Sequence, residues 1–352
     1  MKLKLLDDRK KREFFNTVRN AVIFEKMDPY ILIRYKGSRP KVAFANYILE
    51  NLGEIKRQAR ANKEAISSKN LVFEIEYPPG KQEKRAYIIK MPDFDILGDK
   101  RVNEGKARDI EHEFYSNVYL HELLEYPVEY GFKEGQKIVP LPSCLIFNEK
   151  TNEIIFSRNS VINTPLSIIA GERVSDVIAE NTIRNTAIAA ALFTRLGIHC
   201  DFHFANIGVD FSSNECGVVF FDLENFTPLT WIRNKEDIPG KIFSSLSSLI
   251  LVLVGVGIIK NVEQIEMFKK KYIEVNEAWI HENNQKIAEF VKRKTPFASS
   301  DKEIALYRTL TELKFKNLAN PAFCGAKGMA ERINIMWHFI MKAAKMLTTG
   351  RV

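Results

Sequence analysis

Three residues between His199 and Asp222 have the chemistry of a phosphoryl-transfer site. The stretch reads HCDFHFANIGVDFSSNECGVVFFD. Asp201 and Asn206 lie five apart on a short polar segment. Asp222 follows the apolar run Val218-Val219-Phe220-Phe221, the pattern of a buried strand. A loop carboxylate can take the proton of an attacking hydroxyl. An amide and a strand-end carboxylate supply the hard oxygen ligands that Mg²⁺ prefers. The same residue types also build ordinary polar turns, so a second part of the chain has to agree with the first.

That second part lies upstream. Leu71, Phe73, Ile75 and Tyr77 alternate with Val72, Glu74 and Glu76, which is strand periodicity. Pro78-Pro79-Gly80-Lys81 turns the chain, and Arg85 to Lys90 returns it as RAYIIK. A lysine on an apolar strand has to reach water or an anion. Residues 104–125 then read as a helix, with Ile110, Phe114, Val118 and Leu124 apolar and Glu111 and Glu113 among its acids.

Together these residues resemble the protein-kinase-like superfamily. The loop pattern is His-x-Asp-x-x-x-x-Asn, from His199 to Asn206, then a strand and a second Asp, Asp222. By that resemblance Lys90 pairs the α- and β-phosphates of ATP, and a helix glutamate holds Lys90. Asn206 and Asp222 hold Mg²⁺, and Asp201 orients the acceptor and takes its proton. Glu111, four before Tyr115, matches the helix pattern of similar small-molecule kinases, with Glu113 as the alternative. His203 stands two past Asp201, where protein kinases usually carry Lys. Kinases that resemble choline, aminoglycoside and fructosamine kinases usually carry His there. The loop looks more like this second group, and His203 is expected to orient the loop or approach the phosphates.

The chain also departs from the family's pattern. Asp222-Leu223-Glu224 replaces Asp-Phe-Gly, which leaves Glu224 available as a further ligand. No G-x-G-x-x-G precedes Lys90, and no Ala-Pro-Glu follows Asp222. The implied fold class is α+β, a bilobal protein-kinase-like fold with a β-rich N-lobe and a helical C-lobe. The implied reaction moves the γ-phosphate of ATP to a hydroxyl acceptor, with a small molecule favoured. The alternatives are an atypical protein kinase, a pseudokinase or nucleotidyltransferase on the same fold, and a basic nucleic-acid-binding protein. No recognised nucleic-acid-binding module supports the last.

The elements that must position these residues follow from the rest of the chain. Residues 1–30 read as a basic amphipathic helix packed on the main domain, with Val22 and Ile23 on its apolar face and a break at Pro29. Residues 30–35 read as a strand, and residues 54–69 as an exposed basic helix. Strands 144–147 and 153–156 flank the expected adenine hinge, placed within 156–164. Residues 173–196 form a helix with a broad apolar face, ended by Gly197. Residues 242–259 carry no charge and approach the length of a membrane span; a buried helix is the favoured reading. Further helices are expected over 261–293, 301–318 and 326–347. The expected segments are 1–70 as an extension and start of the N-lobe, 71–158 as the N-lobe, 159–295 as the C-lobe and 296–352 as a helical extension.

Composition sets the outer bounds. The 352 residues are 45% hydrophobic, enough for a real core. A net charge of +8 suits an anionic partner without naming one. Cys144, Cys200, Cys216 and Cys324 show no close metal-binding spacing, and His199, Cys200 and His203 are too close together for a usual zinc site. The scattered cysteines suit the cytoplasm or another reducing compartment and leave delivery into another cell open. The start, MKLKLLDDRKKREFF, turns charged before an apolar core forms, so no signal peptide is expected.

Overall fold

A computed structural model of the chain describes residues 12–38, 42–66, 70–79, 85–93, 100–148, 150–151, 153–160, 164–165, 174–199, 202, 206–210, 217–232 and 238–282. The chain divides into two compact units. The first is drawn from Met1–Val128, Lys133–Ile162 and Val219–Phe226. The second is drawn from Glu129–Phe132, Asn163–Val218 and Thr227–Val352.

The first unit is built on a six-stranded antiparallel sheet in the order β1-β2-β5-β6-β4-β3. Its strands are β1 (Val22–Met27), β2 (Tyr30–Tyr35), β3 (Asn70–Tyr77), β4 (Arg85–Pro92), β5 (Pro142–Asn148) and β6 (Ile154–Asn159). The helix expected over residues 1–30 ends earlier than its pattern suggested, and its first eleven positions lie outside the described residues. Helix α1 spans Arg12–Ala21, and Val22 and Ile23 open β1 instead. Two β-branched residues followed by Phe24 favour extended backbone. The turn at Asp28-Pro29 then lets β2 pair back along the whole of β1.

Alternation gives the sheet two different faces. On one, Tyr87, Ile89, Ile146 and Ile155 pack with Phe44 and Ile48 of α2 (Val42–Glu50) and with Ile55 and Ala59 of α3 (Leu52–Ile66). The helix expected to be exposed over 54–69 thus buries one side against the sheet. On the other face lies α4 (Lys100–Leu123), with Phe114 edge-on to Phe156 at 5.8 Å between ring centroids. Helix α1 packs on α4 in turn, with Phe14 against Tyr119 at 4.8 Å. Helices α2 and α3 separate the β1–β2 hairpin from the β3–β4 hairpin that carries Lys90.

The second unit is mainly helical. Helix α5 (Asp176–Leu196) starts at Ser175, whose hydroxyl accepts from the Ile178 amide at 3.4 Å. Gly197 caps its other end in an extended conformation, and the chain runs straight into β8 (Gly197–His199). Helix α6 (Ile238–Gly255) buries Ile242, Leu246, Leu249, Ile250 and Leu253. The uncharged segment is therefore a buried helix, as favoured. Among the described residues no helix is long and apolar enough to cross a membrane. Helix α7 (Val262–Glu282) packs along α5, where the Thr194 and Tyr272 hydroxyls share a hydrogen bond at 3.0 Å. Strands β7 (Thr164–Pro165) and β9 (Ile207–Asp210) pair antiparallel, and β10 (Gly217–Phe220), which is divided between the two units, leads to Asp222. A β-rich unit followed by a mainly helical unit makes an α+β fold, in the order expected. The helices expected over 301–318 and 326–347 lie outside the described residues.

Candidate active site

Lys90 sits on the α4 face of β4, opposite Val72 of β3 and Phe156 of β6. It is buried, with 7% of its surface exposed, so its ammonium needs partners inside the protein. Three carboxylates provide them. Nζ donates to Glu113 Oε2 of α4 at 2.6 Å and to Asp222 Oδ1, and Glu224 Oε2 lies 3.7 Å away. Each of the three carboxylates offers an oxygen within 4.8 Å of the other two. Asn70 of β3 donates to Glu224 at 3.5 Å.

The backbone around Asp222 explains how two of these acids reach one amine. Asp222 leaves the strand in the left-handed region, at φ 54 and ψ 57, the only such non-glycine residue among those described. Asp and Asn tolerate this conformation better than most residues. A 3-10 turn over Leu223–Asn225 follows, which buries Leu223 and swings Glu224 back to Lys90. The next residue is fastened to α4. His112 Nε2 lies 2.6 Å from the Phe226 carbonyl, and the Phe226 ring meets Tyr119 at 6.2 Å. The helix that carries Glu113 thus also holds the segment that carries Asp222.

Charge is unevenly balanced here. Burial works against the Lys90 charge, but Glu113, Asp222 and Glu224 outweigh it and raise the pKa. Burial pushes Glu113 up to about 7; the Asp222 charge adds to this and Lys90 opposes it. Lys90 stays protonated, and the carboxylates left over can take up a proton or a divalent cation.

Lys90 and Asp222 come together. Glu111 does not pair with Lys90, and Glu113 takes that place. Two positions along a helix are a rotation of about 200°, so the two glutamates face opposite ways. Glu111 lies near Arg108 and Tyr115, and burial lifts its pKa to about 7. Asn206 belongs to the second unit, where it is buried just before β9. Asp201 and His203 lie outside the described residues.

Two polar residues on the Lys90 face were not anticipated. Asn70 opens β3, and Arg158 sits on β6. The available signal for Arg158 was an arginine two past Phe156, at the end of the apolar run Ile154-Ile155-Phe156 and after Ser157. A strand with this pattern places Arg158 on the same face as Phe156.

No family model matches the chain, and no curated protein does. Among solved structures, a comparison with WaaP in complex with acyl carrier protein gives 10% sequence identity and a TM-score of 0.40, covering 75% of this chain and 96% of that one.

Proposed function

We propose that the protein is a phosphotransferase that moves the γ-phosphate of ATP to a hydroxyl acceptor, with a small molecule as the favoured acceptor. The observation that carries this reading is the meeting of a strand lysine, a helix glutamate and a post-strand aspartate at one point. Lys90, Glu113 and Asp222 come from a strand, a helix and a turn after a strand, and they meet at one buried point. Lys90 positions the phosphates, and Glu113 keeps the ammonium in place for them. Asp222 and Asn206 are the residues that would hold Mg²⁺, with Glu224 as an additional oxygen donor. Both carboxylates and the amide are hard-oxygen groups suited to that ion. When bound, Mg²⁺ neutralises charge on the transferred phosphate. Asp201 orients the acceptor hydroxyl and accepts its proton late in transfer, while His203 orients the loop around it. Positioning and charge neutralisation account for most of the acceleration in this type of chemistry.

The test is transfer of labelled γ-phosphate from ATP into separate pools of small metabolites and of proteins. The expected outcome is Mg²⁺-dependent label in a small molecule, lost with Asp222→Asn. Label in protein alone assigns a protein acceptor. Label on neither pool, with nucleotide bound, supports a pseudokinase and removes the transfer reading.

A further inference from the structure

Arg158 is the cation of the first unit whose surroundings are least explained. Ile88 and Lys90 lie on one face of β4, and their partners on β6 are Arg158 and Phe156. Arg158 is therefore a diagonal neighbour of Lys90 across two paired strands, on the same face. The two cations differ in how they are engaged. Lys90 is gripped by carboxylates at hydrogen-bond distance. Arg158 forms no ion pair at that distance among the described residues. One guanidinium nitrogen, Nη1, donates to the Asn159 carbonyl at 3.2 Å, and the group lies 5.0 Å from the centroid of the Phe221 ring. A guanidinium has five N–H donors in a planar fork, and most of these are left over. It is half-buried and sits in the fields of Glu113, Asp222 and Glu74.

A planar cation with spare donors, stacked on an aromatic ring and set beside a lysine, fits an oxyanion better than a point contact. We infer that Arg158 is a second phosphate-contacting residue, which receives a phosphate oxygen of the nucleoside triphosphate alongside Lys90. This rests on the phosphotransfer reading above. Phe221 holds the guanidinium plane in position from the residue directly before Asp222, so one short segment supports both a metal-binding carboxylate and a phosphate-binding arginine. A purely structural Arg158, present only to offset Glu113 and Asp222, would affect stability without regard to how many phosphates a ligand carries.

The experiment is calorimetric titration of the full-length protein and of Arg158→Gln with three probes: MgATP, tripolyphosphate with Mg²⁺, and adenosine. The expected result is about 10- to 100-fold weaker binding of both phosphate-bearing probes, the range for a lost hydrogen bond to a charged group, with adenosine binding unchanged. Arg158→Lys keeps the charge without the fork and is expected to recover part of the loss; it also serves as the test variant if Arg158→Gln does not fold. Equal loss for adenosine, or no loss for MgATP and tripolyphosphate, overturns the assignment. Wild-type protein that binds MgATP while Arg158→Gln binds it equally well removes this assignment alone. Wild-type protein that binds none of the three probes removes the phosphotransfer reading and this assignment with it.

Discussion

Glu111 and Glu113 stand two positions apart on one helix, and rotation separates their roles. Glu113→Gln removes the charge of a carboxylate that accepts from Lys90 and is expected to lower kcat about 10- to 100-fold, measured as ATP turnover. Glu111→Gln is expected to leave turnover unchanged. It should instead alter how stability depends on pH. Burial raises the Glu111 pKa from 4.5 to about 7. An acid with a raised folded pKa favours the folded state while protonated. That contribution is full below 4.5 and is lost as pH rises through about 7. Urea unfolding should therefore find wild type and Glu111→Gln most nearly equal at pH 4, and the variant more stable by up to about 3 kcal/mol at pH 8. At Asp222 the choice of substitution matters. Asn tolerates the left-handed backbone and Ala does so poorly, so Asp222→Asn isolates the lost charge. It is expected to reduce Mg²⁺-dependent turnover about 100-fold or more.

At the scale of elements, much was legible before the fold was known. The β3–β4 hairpin follows from strict alternation and the Pro-Pro-Gly turn. The strand before Asp222 and the helix before His199 follow from their apolar patterns. The phase of α4 did not follow. Ile110, Phe114, Tyr115, Val118, Tyr119 and Leu120 are all buried, so the helix is covered nearly all round. With no single apolar stripe, spacing alone could not say which glutamate turns toward Lys90. The start of β1 was hidden for a similar reason, since Val22 and Ile23 fit both a helix face and a strand until pairing with β2 decides. The sheet's helix-packed core can be tested apart from the chemistry. Ile48→Ala opens a cavity on the face away from Lys90 and is expected to cost about 2–5 kcal/mol in urea unfolding. The Lys90–Glu113 pairing on the opposite face should be unaffected.

Across the whole molecule, nucleotide and stability should be linked. A ligand that binds only the folded state adds about 2.7 kcal/mol at 100 times its Kd. MgATP is expected to raise the melting temperature, and EDTA to remove most of that shift. The net charge of +8 predicts no more than weak, salt-sensitive attraction to anions in general. The phosphotransfer reading depends on a local cluster, not on that charge.

The N-terminal hairpin has a practical consequence. Strands β1 and β2 occupy one end of the sheet and cover β5, whose residues are almost all buried. A shortened protein that begins after Tyr35 would keep every residue of the lysine cluster and still uncover the hydrogen-bonding edge of an apolar strand. Such edges recruit other chains. Shortening of that kind should produce self-association and low recovery, and lost activity in it would report clumping of chains and not the removal of a chemical group.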